Sequence, residues 1–326
     1  MKILLTGGTG FIGRNLGIKL AKMGHHVLCL VRDKSRAGWM NAHPDLEPVR
    51  GDLEHQESIA PHLSDVDLVF HLAGLTKARN EDEFIRVNGA GTGVLVDAVL
   101  QGAPGIKRIL YVSSLAVAGP HTSQDPAKET GKVSPITAYG ASKLLGEQLL
   151  LEKCKEIPWT IIRPPVVYGP YDKDVFVYFK MANSGLILLA ANSELELSLI
   201  HVDDVTDGII LAGFAEKSAG EIFYLSDGRV YTVEEVARTL SRIAGGSRIV
   251  RLPPFFGRIS GIIGDCITRL TGKAQLINSQ KVKEALQDGW VCNTDKIREM
   301  LGFTPSIEAE MGLESTYLWY RNSGWL

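Results

Sequence analysis

Cysteine is scarce in this 326-residue chain: Cys29, Cys154, Cys266 and Cys292 stand far apart, with no CxxC pair and no Cys/His cluster. That scatter argues against a disulfide framework and against a zinc site, leaves no metal expected, and fits the reducing cytoplasm. Long apolar runs are missing too. No stretch of about 18 uncharged apolar residues occurs, so no spanning helix is expected. The opening MKILLTGG meets glycine after a few apolar residues, which suits a first strand rather than a secretion signal. Neither sign of charge prevails, with 35 Lys and Arg against 37 Asp and Glu and a net charge of −2. A basic footprint for nucleic acid is therefore absent, small molecules are the expected partners, and a homodimer is left open. Internal repeats and low-complexity tracts are also lacking.

What the chain does have is alternation. Short runs rich in Val, Ile and Leu (KILLTGG, HVLCLV, VDLVFHLAG, RILYVSS, WTIIRPP) take turns with longer helical patterns through the first half. Runs that are apolar throughout suit strands covered on both faces, so an α/β fold is expected, a doubly wound parallel sheet of the Rossmann type. Residues 1–167 form the nucleotide-binding domain in this reading, and 200–220 return to it. Segments 168–199 and 221–326, with looser patterning, form a smaller mixed substrate lobe.

TGGTGFIGRN places Gly7, Gly10 and Gly13 between the first strand and the first helix. Glycines there allow a tight turn and close approach of a pyrophosphate to the helix N-terminus, so these residues, with Phe11 and Ile12, are the expected cofactor loop. The GxxGxxG spacing is the one used by the short-chain dehydrogenase superfamily. The second strand ends HVLCLVRD, where Arg32, with Lys34 and Arg36 nearby, suits the 2'-phosphate of NADP. Asp33, about twenty residues beyond the last loop glycine, is the competing signal for NAD. NADP is the expected cofactor and NAD the alternative.

Further motifs follow in family order: RGDL, HLAG, YVSSLAVAG, YGASK, IIRPPVVYGP, IHVDDV and KIREMLGFTP. Through them the chain resembles, nearly end to end, the extended branch of the short-chain dehydrogenase/reductase superfamily, the NAD-dependent epimerase/dehydratase family. The resemblance implies that Asp52 and Leu53 contact the adenine, that Leu72, Ala73 and Gly74 pass under the cofactor, and that Pro164 and Val166 flank the nicotinamide. His201, beside Asp203 and Asp204, is expected to join the lobes rather than to ligate or catalyse.

AYGASK sets Tyr139 and Lys143 four residues apart, which brings both to one helix face. Ser114 precedes the tyrosine by 25 residues, the family spacing. The resemblance then gives Ser114 the substrate oxygen, Tyr139 the proton transfer, and Lys143 both the nicotinamide ribose and a depression of the tyrosine pKa.

Dehydratases of this branch carry an Asp-Glu pair after the catalytic serine or threonine, where this chain has Leu115, Ala116 and Val117. Nucleotide-sugar epimerases present an arginine where Leu197 stands, and a second one late in the chain where KVKEALQDGWVCNTDK runs instead. The closest motif likeness is therefore to dihydroflavonol 4-reductase and 3β-hydroxysteroid dehydrogenase, which act on apolar ketones or alcohols. A nucleotide-sugar 4-epimerase with tightly bound NAD is the alternative. Phe176, Phe179, Leu186, Leu188, Phe255 and Phe256 make the second lobe apolar, as core or as pocket. Finally, residues 253–270, PPFFGRISGIIGDCITRL, read as an amphipathic helix with Arg258, Asp265 and Arg269 on one face. It is expected to pack on the body, covering a hydrophobic ligand, rather than to lie on a membrane.

Overall fold

Six strands rich in β-branched and leucine side chains set the architecture: β1 (Lys2–Thr6), β2 (His26–Val31), β3 (Leu46–Arg50), β4 (Leu68–His71), β5 (Arg108–Val112) and β6 (Trp159–Arg163). The computed structural model that defines them describes residues 1–189 and 192–326. Outside this sheet lie β7 (Val166–Tyr168), β8 (Leu186–Leu189) and β9 (Glu196–His201), whereas β10 (Glu221–Tyr224) returns to it. The order is β10-β6-β5-β4-β1-β2-β3, parallel throughout, and it reverses between β1 and β4. A crevice opens at such a switch point, beyond the carboxyl ends of the strands.

The helices are α1 (Phe11–Lys22), α2 (Glu81–Phe84), α3 (Gly91–Gly102), α4 (Ala138–Lys153), α5 (Phe176–Asn183) and α6 (Val202–Phe214). They continue with α7 (Val233–Ile243), α8 (Pro254–Thr271), α9 (Ser279–Ala285), α10 (Asp295–Leu301) and α11 (Ala309–Asn322). Leu16, Leu20, Val205 and Ile209 from α1 and α6 fill one face of the sheet, and Leu95, Val96, Val99 and Leu150 from α3 and α4 fill the other. Both faces are thus dry, which is why the strands carry no polar alternation.

Two expectations need correction. The return to the first sheet does not stop at residue 220: the apolar run at 221–224 forms β10 against β6, and Phe223, Leu225, Ile297 and Phe303 join the core of that sheet. The late motif around α10 therefore covers the nucleotide-binding body, not the lobe. His201 and its neighbours do span the two parts: the Asp204 carboxylate accepts the N–H groups of Ser306 and Ile307 at 2.9 and 3.0 Å.

The second correction concerns α8. Its buried side is Gly257, Gly261, Gly264 and Thr268, with Gly261 against Ser279 and Val282 of α9 and Gly264 and Thr268 against Ile277 and Gln275 in the turn before it, while Phe255, Phe256 and its isoleucines face outward. An added Cβ on Gly264 would run into the Ile277 carbonyl, so only a residue without a side chain permits this approach, and one on Gly261 would crowd Val282 at 3.0 Å. Among the described residues the apolar stripe thus faces away from the body. In the lobe proper, Phe179 is buried with Tyr168, Leu240 and Tyr320, and Phe176 packs beside them, whereas Leu186 and Leu188 are exposed. The smaller sheets here are β8 with β12 (Arg248–Arg251), and β9 with β7, β11 (Val230–Thr232) and β13 (Gly289–Trp290). Among the described residues no helix is long and apolar enough to cross a membrane, and no group of His, Cys, Asp and Glu could hold a metal.

Candidate active site

At the switch point, Gly7 takes φ +76°, and a Cβ there would meet the Ala73 nitrogen at 2.7 Å. The glycine loop and the end of β4 therefore touch backbone to backbone, with Leu72, Ala73 and Gly74 directly beneath the loop. Gly10 donates its N–H to the Gly7 carbonyl at 2.8 Å, and Gly13 packs on that same carbonyl. Gly10 is also the N-cap of α1, with no side-chain cap and no acid in the first turn. Free N–H groups at the helix start, above Phe11 and Ile12, fit a pyrophosphate.

The residues expected around the rest of a dinucleotide line the same edge. Asp52 and Leu53 follow β3, with Leu53 buried against Gly91 of α3. Arg32 follows β2 and is exposed, while Asp33 turns aside to accept the N–H and hydroxyl of Ser35 at 2.9 and 2.6 Å. Those two bonds hold the Asp33 carboxyl below its ordinary pKa. Pro164 offers its carbonyl to the Leu115 N–H, and Val166 begins β7 next to it. Arg14, which no motif marks, stands between the rings of Trp39 and Tyr171 at 4.4 and 3.8 Å, fastening the loop to the stretch beyond β7.

Thr137 caps α4, its hydroxyl accepting the Gly140 N–H, and so fixes where Tyr139 and Lys143 begin to share a face. The Ser114 hydroxyl lies against the Tyr139 phenol. Lys143 is buried and donates to the Val112 carbonyl at 2.7 Å; burial brings its pKa down to about 7, against the pull of Glu147. The expected electrostatics are not what the geometry produces. Burial pushes the Tyr139 pKa up, and the groups working downward are Ser114 and then Lys281, not Lys143. Lys281, on α9, holds its ammonium 5.8 Å from the tyrosine ring and 2.8 Å from Glu284. It lies 142 positions along the chain from Tyr139, and no motif marks it.

A buried polar chain links loop and helix. Thr6 bonds His71 Nδ1 at 2.6 Å, His71 Nε2 bonds Thr92 at 2.9 Å, and Thr92 donates to the Asn88 carbonyl at 2.7 Å. Because the Thr92 proton is already used, His71 carries its own on Nε2 and accepts from Thr6 at Nδ1. Asn88, also unmarked in the sequence, accepts the Leu75 N–H and donates to Ser142, one residue before Lys143.

The sequence profile of the NAD dependent epimerase/dehydratase family matches residues 3–225, ending at the close of β10. The chain belongs to this family. It is 30% identical to the ceramide reductase of Caulobacter vibrioides, over 99% of this chain and 96% of the relative. It is 29% identical to the 4-hydroxy-2-methyl-3-oxo-4-farnesyl-3,4-dihydroquinoline-1-oxide ketoreductase of Stigmatella aurantiaca, over 97% and 95%. Among solved structures, the UDP-glucose 4-epimerase of Thermotoga maritima superposes with a TM-score of 0.81 at 24% identity, covering 99% of each chain. This member of the extended short-chain dehydrogenase/reductases is an enzyme of an NAD(P)-dependent family, and Ser114, Tyr139 and Lys143 stand together at the carboxyl ends of its central strands.

Proposed function

We propose that the enzyme is an NADP-dependent oxidoreductase that interconverts an apolar ketone and a secondary alcohol, with Tyr139 as acid and base. The nicotinamide, when bound, supplies or takes up the hydride. Everything else falls to side chains of this chain. Ser114 and Tyr139 hold the substrate oxygen between two hydroxyls. Burial keeps the phenol protonated at neutral pH, as a donor to a ketone oxygen must be, and the Lys281 ammonium offsets the phenolate left behind. Exposed Arg32, beside an Asp33 already engaged by Ser35, supports NADP over NAD. Four unpaired thiols suit the reducing cytoplasm, where that cofactor is available.

Leu197 carries the substrate class. It packs among apolar side chains between Tyr231 and Trp290, and its neighbour Glu196 is a carboxylate held by Ser123, so that strand offers a diphosphate no cation. Two relatives are reductases whose names include ceramide and a farnesyl group, both of which carry long hydrocarbon chains. The alternative, a nucleotide-sugar 4-epimerase with tightly bound NAD, is supported by 30% identity to the UDP-glucose 4-epimerase of Vibrio cholerae over 88% of this chain and by the shared fold, and Leu197 is what weighs against it. Nicotinamide absorbance, followed with NADPH and NADH over a panel of apolar ketones, tests the reading. Ketone-dependent loss of NADPH supports it, and UDP-sugar conversion with no net change in absorbance replaces it.

A further inference from the structure

Helix α8 is built inside out. Its protein-facing side is Gly257, Gly261, Gly264 and Thr268, whereas the opposite side carries Phe255, Phe256, Ile259, Ile262, Ile263 and Leu270. Ile262 is 59% exposed and Leu270 is 86% exposed, although a helix that merely closed over the body would turn such residues inward. A contiguous apolar face of this kind marks a partner. We propose that α8 is a membrane-docking helix, which lays this face into the boundary between headgroups and acyl chains of an anionic bilayer.

Charge selects that occupant. From Arg248 to Lys273 the chain carries five cations against the single carboxylate Asp265, in a protein of net charge −2; Arg251 is engaged by Glu234, which leaves Arg248, Arg258, Arg269 and Lys273. Among the described residues Arg258 and Arg269 form no ion pair, and Asp265 is drawn back to Ser279. Exposed cations bordering an apolar stripe match anionic headgroups. Across a two-fold axis between copies of the chain, the same arginines would face one another.

The helix is also placed for use. It packs on α9, and α9 touches the start of the catalytic helix: Gln280 accepts the Ala138 N–H at 3.0 Å, and Lys281 lies against Tyr139. A bilayer held by α8 would therefore lie one helix away from the phenol. The inference stands whichever ketone is reduced.

The test is flotation of the full chain with vesicles of phosphatidylglycerol and phosphatidylcholine, and with phosphatidylcholine alone. The wild type should float with the anionic vesicles and be released by salt. The double variant Ile262→Ser, Ile263→Ser should lose at least about tenfold in bound fraction, since two exposed isoleucines supply much of the buried apolar area. Its melting temperature and NADPH titration should match the wild type, because neither residue packs on the body. A wild type that stays at the bottom of the gradient with every vesicle overturns the proposal, as does a variant that floats equally well. A dimeric wild type beside a monomeric variant in sedimentation equilibrium would overturn it too, assigning the face to a second copy.

Discussion

Arg163 and Glu147 form a bidentate ion pair in the interior, with bonds of 2.9 and 2.6 Å and side chains only 4% and 2% exposed. Arg163 ends β6, and Glu147 sits one turn beyond Lys143, so the pair pins α4 to the sheet. Tyr224 of β10 adds a third contact to the guanidinium at 3.0 Å. Glu147→Ala would leave that cation buried and unpaired, at a cost of about 3–5 kcal/mol. Chemical denaturation should register the loss as a lower midpoint; an unchanged midpoint would show that water reaches the arginine.

Tyr139→Phe removes the proposed proton donor and keeps the ring that packs edge-on against Phe84 at 5.9 Å. Turnover should fall by ~10² to 10⁴ while NADPH still binds, as read by stopped-flow rates and cofactor fluorescence. Retained kcat would remove Tyr139 from the chemistry.

Arg32→Ala should weaken NADPH far more than NADH, by ~1.5 to 3 kcal/mol, because only the phosphate-bearing cofactor loses a charge-assisted contact. Isothermal titration of both cofactors measures the difference. Equal losses would mean that Asp33 leaves Ser35 and governs the choice.

His71 gives the fold an acid-sensitive element. Burial, and then the nearby Lys143 ammonium, push its pKa down from 6.5 to about 3, so between those values the unfolded chain binds a proton that the folded chain does not. Stability from this group is therefore complete above pH 6.5 and is lost as pH falls toward 3, by up to about 1.4 kcal/mol per pH unit. Urea midpoints across that range should decline less steeply for His71→Gln than for the wild type. Parallel curves would place the acid sensitivity elsewhere.

Nucleotide sugars and apolar ketones separate by thermal shift. A ligand that binds the native state alone, at a hundredfold excess over Kd, stabilises by about 2.7 kcal/mol. With NADP present, apolar ketones should raise Tm and UDP should not, given Leu197 on β9. A saturable shift with a UDP-sugar alone would favour the epimerase.

The doubly wound sheet was legible because its strands are buried on both faces and therefore apolar throughout, and because the glycine loop has few structural alternatives. That Ser114, Tyr139 and Lys143 would lie near one another was legible from the family spacing read together with the glycine loop, while their roles remain a proposal. What escaped was whatever depends on distant parts of the chain meeting: Lys281 reaching Tyr139 from α9, Asn88 bonding Ser142, and the Glu221–Tyr224 strand joining β6. Periodicity found the α8 amphipathicity but not its orientation, since it cannot say which side of a helix faces the protein. Glycines at 261 and 264 held that answer, because along their side the chain at Ile277 and Ser279 comes up close to the helix.

The late arrival of β10 has a consequence for synthesis. The chain lays down six strands of its parallel sheet by Arg163, then builds part of the second lobe before Glu221–Tyr224 can close the edge. Until then the nascent β6 presents an open row of backbone donors and acceptors as the ribosome continues to elongate, the kind of edge that invites pairing with another chain. Its partner strand cannot be removed with the lobe, so the two halves are inseparable as genetic modules, and a truncated chain ending at residue 220 should emerge as an aggregate rather than as a free nucleotide-binding domain.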